Sequence, residues 1–158
     1  MASVALSPAH AGELGGGGAG TRGLSFQFCG EAKPQSARQQ DRVLQFASVI
    51  RQALQASGED VALIGRSGMD LSRFQLNYSH GGVLLRSSGD VPWSVRQLYY
   101  DCEQGKPRLF DQGLAGFLMS AEAPDLAYVS VVLLPAAEAS RLREAALDLP
   151  RVSRLLAA

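Results

Sequence analysis

The sequence predicts an α+β fold, one domain with a central antiparallel sheet and an N-terminal helix packed on it. Three observations carry this. Ser36-Ala37-Arg38-Gln39 has the form of a capping box and opens a stretch in which Val43, Phe46, Ala47, Ile50 and Leu54 recur at helical spacing. Val61-Ala62-Leu63-Ile64, Val83-Leu84-Leu85 and Tyr128-Val129-Ser130-Val131-Val132-Leu133-Leu134 are short apolar runs of the kind that buried strands use. Between the second run and Trp93 to Tyr100, Ser87-Ser88-Gly89-Asp90 is turn chemistry, so the two segments lie side by side and antiparallel.

The 158 residues suit a single domain with a real core. Fifteen Lys and Arg balance fifteen Asp and Glu, and this zero formal charge argues against a nucleic-acid partner held through phosphates. No apolar run approaches the roughly 20 residues that cross a bilayer. Residues 1–23 are set apart from the fold. Ala2 to Pro8 is a short apolar run followed by Ala9-His10-Ala11, a signal-peptidase-like pattern, and Gly15 to Gly18 is unbroken glycine. Two readings stay open, a truncated signal peptide or a flexible leader. Residues 24–158 then form the domain.

Within it, Leu24-Ser25-Phe26-Gln27-Phe28-Cys29 alternates as a short strand. The first helix runs from Ser36 to Ala56, and Gly58 ends it as a left-handed cap. Asp70 is placed to cap a helical turn through Phe74, and Asp111 to cap a short helix through Met119. Trp93, Tyr99 and Tyr100 read as core and rim packing. Pro135 ends the Tyr128 strand, Ala136 to Leu147 is a helix with Leu142, Ala145 and Ala146 inward, and Pro150 opens a last helical piece.

The chemistry gathers at Tyr78-Ser79-His80-Gly81-Gly82. His80 stands at the mouth of a strand, and two residues without a β-carbon leave room beside it for a backbone or a ligand. That is the setting of a general base. The plainer reading is a half-buried imidazole donating to a backbone carbonyl, and both stay open. Cys102 makes a poor nucleophile for it. Lys106-Pro107 rules out a regular helix opening at that point, and Asp101 and Glu103 raise the thiol pKa. A Cys29–Cys102 disulfide fits better in an exported protein, where it would contribute roughly 3 to 4 kcal/mol. One core histidine and two distant cysteines have no zinc spacing, and no phosphate loop or nucleophile elbow occurs, so no cofactor or metal is expected.

Phe26 to Cys29, Gly68-Met69-Asp70-Leu71-Ser72-Arg73-Phe74, Tyr78 to Gly82, Gln97-Leu98-Tyr99-Tyr100-Asp101-Cys102 and Gln112 to Phe117 together resemble an exported bacterial family, domain of unknown function 2145, over about residues 24–158. The Ser79-His80-Gly81-Gly82 strand itself is similar to permuted papain-like amidases of the NlpC type and their acyltransferase relatives. That resemblance implies a periplasmic or secreted hydrolase acting on an envelope amide or acyl substrate. It gives His80 the role of base and Gln97 or Tyr99 that of orienting group. It also implies a nucleophilic cysteine on a helix beyond Ala158, so that the chain as given would be incomplete at its C-terminus and inactive. The competing expectation is a non-catalytic envelope module shaped by the disulfide.

Overall fold

In the computed structural model of the chain, the described residues are 34–68, 71–87, 92–119 and 128–157. The first helix, α1 (Ala37–Ser57), starts where its capping box places it. The Ser36 hydroxyl accepts from the Gln39 N–H, the Gln39 side chain accepts from the Ser36 N–H at 2.8 Å, and Gly58 closes the helix at φ +77°. Ala47, Ile50 and Leu54 are buried and Val43 partly so. Phe46 corrects the expected stripe, being 43% exposed. It lies roughly 70° around the helix from the centre of the other four, at 100° per residue.

Five strands follow: β1 (Val61–Arg66), β2 (His80–Leu85), β3 (Ser94–Asp101), β4 (Lys106–Gly113) and β5 (Val129–Val132). They form one antiparallel sheet in the order β4-β3-β2-β1-β5, so the histidine strand is central. β4 was not expected, because Pro107 and Asp111 argue against a strand. β4 is an edge strand, where a missing N–H faces no partner. Asp111 caps no helix. It faces Arg96 across the β3–β4 ladder and pairs with it at 2.6 Å.

Strand alternation sorts the sheet into two faces. Ala62, Ile64, Leu84 and Val95 face α1 and the short α2 (Leu114–Met119), where Trp93, Leu114, Phe117 and Leu118 complete the larger core. Gln35 Nε2 donates to the Met119 carbonyl at 2.8 Å, tying the start of α1 to the end of α2. Val61 and Leu85 face the other way, onto Ala139 and Ala146 of α3 (Ala136–Leu147). A final helix, α4 (Leu149–Ala157), follows. The Leu24–Cys29 strand and the Asp70 cap lie outside the described residues, and a 3-10 turn occupies Ser72–Phe74.

Candidate functional site

His80 is the first residue of β2 and pairs with Arg66, the last of β1. Strand register puts the His80, Arg66, Gln97 and Gln112 side chains on the face that α1 and α2 cover. The imidazole is half-buried. Its Nε2 lies 2.5 Å from Gln97 Oε1, the Tyr99 ring stands edge-on at 5.8 Å, and the buried Phe117 ring of α2 lies at 5.9 Å. Both side chains expected to orient His80 therefore touch it, Gln97 by a hydrogen bond and Tyr99 by its ring.

The partner chemistry gives the proton's place. Gln97 Oε1 can only accept, so His80 Nε2 carries the hydrogen and donates it. Gln97 turns its other end outward, and its Nε2 donates to Gln112 Oε1 at 2.6 Å. The second histidine nitrogen, Nδ1, has no hydrogen-bond partner among the described residues. The bland expectation of a bond to a backbone carbonyl is replaced by one to a side-chain amide.

The expected room beside the ring is also corrected. A β-carbon on Gly82 would stand 2.7 Å from Val95 Cγ1 and 3.0 Å from the Arg96 carbonyl oxygen. The missing side chain lets β3 close onto β2, and the space is filled. At Gly81 the nearest atom to such a carbon is the Ile64 carbonyl, at 3.5 Å.

Burial is the largest influence on the His80 pKa and lowers it. The Gln97 hydrogen bond opposes that, and the positive Arg66 adds to the lowering. Arg66 is itself 4% exposed, with its guanidinium 5.0 Å from the centre of the Phe117 ring. Phe117 thus packs against both the Arg66 cation and the imidazole whose pKa that cation helps to lower.

Cys102 sits on the exposed β3–β4 turn, and no free cysteine occurs among the described residues. Cys29 lies outside them. Among the described residues no three His, Cys, Asp or Glu side chains are grouped to hold a metal ion, and no helix is long and apolar enough to cross a membrane.

A model of a family of uncharacterised proteins conserved in bacteria, domain of unknown function 2145, matches residues 53–158. The chain belongs to that family. The family match begins within α1, later than the residue 24 at which the likeness in sequence was expected to start, and contains Gln97, Tyr99 and Phe117, which touch His80. No curated protein and no solved structure matches the chain.

Sequence reading missed Arg66, Gln112 and Phe117 as site members. Arg66 ends an apolar strand and reads as its boundary. Gln112 lies on the strand that went unrecognised. The available signal was alternation from Arg108 through Phe110 to Gln112, masked by Pro107 and by the adjacent Leu109 and Phe110.

Proposed function

We propose that His80 is the general base of a cysteine amidase- or acyltransferase-type reaction, in a permuted papain-like arrangement. The observation that carries this is the Nε2–H bond to the Gln97 carbonyl oxygen, which leaves Nδ1 with the lone pair. A neutral imidazole with a free lone pair takes a proton near pH 7. In such a reaction Nδ1 removes the proton of an attacking thiol and the thiolate adds to the carbonyl carbon. The imidazolium then returns the proton to the leaving amine, and water cleaves the acyl-thiol with help from the same nitrogen. The thiol is not among the described residues.

The substrate class proposed is an amide or thioester of the bacterial envelope, and the location periplasmic or secreted. The Cys29–Cys102 bridge belongs to this reading. It is supported by the exposed turn at Cys102 and by the lack of a free cysteine among the described residues. Thiol titration of the unreduced protein should find no reactive group, and two reactive groups would remove the support for export.

The test of function is turnover of envelope-derived amides and thioesters by a version of the protein that carries the nucleophilic cysteine, and by its His80→Asn variant. A rate that disappears with the substitution, while the melting temperature holds, is expected. Equal rates in both proteins would leave His80 a structural residue.

A further inference from the structure

Gln112 is the third member of a chain of hydrogen bonds that begins on His80. Two carboxamides ending on an imidazole can be arranged with either polarity. In one, both amide oxygens point toward the histidine and both nitrogens away from it. In the other every dipole is reversed, and Gln97 would donate to His80 Nε2 instead of accepting from it. The two place the imidazole proton on different nitrogens.

The structure holds the first polarity, and the second glutamine shows how. Gln97 Nε2 donates to Gln112 Oε1 at 2.6 Å. The far end of Gln112 rests on α2, where Gly116 has no side chain. A β-carbon there would stand 2.9 Å from Gln112 Nε2, 3.1 Å from Cγ and 3.3 Å from Cδ. The Gln112 amide lies there with its nitrogen against the helix and its oxygen turned to Gln97. Gly116 is thus the space in which Gln112 is seated, within a helix whose interior otherwise favours alanine.

We propose that Gln112 is a positioning residue for His80. Seated against Gly116, it fixes the Gln97 amide with its oxygen on the imidazole, so that His80 exists as the Nε2–H tautomer with Nδ1 as its basic nitrogen. The inference deepens the general-base reading and rests on it for its purpose, but not for its measurement. Among the described residues, the other groups facing the ring are Arg66 from β1, Tyr99 from β3 and Phe117 from α2. None of them accepts a hydrogen bond from Nε2 in the structure.

The experiment is nitrogen NMR on histidine-labelled full chain, with His10→Gln introduced so that one imidazole remains. At a pH above the His80 titration, Nε2 should resonate as a protonated, pyrrole-like nitrogen and Nδ1 as a bare, pyridine-like one. A preference of roughly tenfold is expected, about what one net hydrogen bond supplies. Gln112→Leu removes the acceptor and should bring the ratio toward even. Gln112→Glu can only accept, and should keep the native pattern.

Gly116→Ala decides the matter if Gln112→Leu does not fold. The three atoms nearest to its β-carbon all belong to the flexible Gln112 side chain, which can move aside, and alanine suits the helix. It should leave the melting temperature unchanged or raised while shifting the tautomer ratio as Gln112→Leu does. A native protein with the proton on Nδ1 overturns the proposal. So does a Gly116→Ala protein whose ratio equals the native one. Absence of hydrolytic activity in a version that carries the nucleophilic cysteine would defeat the catalytic reading and leave these signals as they are.

Discussion

His80 is a contest between burial and one hydrogen bond. Packing against Phe117 and Tyr99 penalises the imidazolium, Gln97 stabilises it, and Arg66 repels it, with burial the strongest. The folded protein therefore holds its His80 proton less tightly than the unfolded chain does. Between the lowered pKa and the ordinary value near about 6.5, the unfolded state binds more protons, so stability rises with pH through that window. Above it the contribution is complete, and it is lost as the pH falls through the folded pKa. A His80→Gln variant lacks this dependence. Denaturant unfolding of both proteins from about pH 7.5 down to about pH 5 should show the native advantage shrinking. An advantage that stays constant or grows would contradict the burial of a neutral ring.

At the scale of elements, β2 and β3 approach closely only because Gly82 is bare. Gly82→Ala puts a carbon 2.7 Å from Val95 Cγ1 and 3.0 Å from the Arg96 carbonyl oxygen, and backbone cannot swing away. The expected cost is about 1 to 3 kcal/mol, read as a lowered unfolding midpoint. A second joint fastens α3 to the sheet. Arg96 makes paired bonds to Asp111 at 2.7 and 2.6 Å and donates to the Ala146 carbonyl of α3. Arg96→Met should cost about 1 to 3 kcal/mol. In hydrogen exchange, α3 amides should lose protection while α1 amides keep theirs. Equal loss in both helices would show that Arg96 supports the whole core instead. The helices were readable because α1 carries its own cap, stripe and stop signal. β4 was not, because an edge strand tolerates proline and aspartate that local rules assign to turns and caps.

For the whole molecule, the question is which part folds as a unit. The family match covers residues 53–158, yet the larger core draws Ala47, Ile50 and part of Val43 from the stretch of α1 before residue 53. A fragment beginning at residue 53 leaves the inner surface of Ile64, Leu84 and Val95 without these partners. It is expected to lose cooperative unfolding and to bind a hydrophobic dye, while the full chain does neither. A fragment that melts cooperatively would show α1 to be an accessory.

Much about this protein was set by the sequence alone. Ser36, Gly58 and the spacing of Val43, Ala47, Ile50 and Leu54 act within one helix, and the apolar runs of β1, β2 and β5 declare strands by composition. His80 stood out by its neighbours. Tertiary structure decided what those neighbours were for. Gly82 serves β3, Phe117 comes from another element to cover the ring, and Gln112 lies 15 residues beyond the Gln97 that it holds. Hydrogen-bond polarity and desolvation depend on atoms brought together across strands, and spacing along one strand carries no record of which partner arrives from the next.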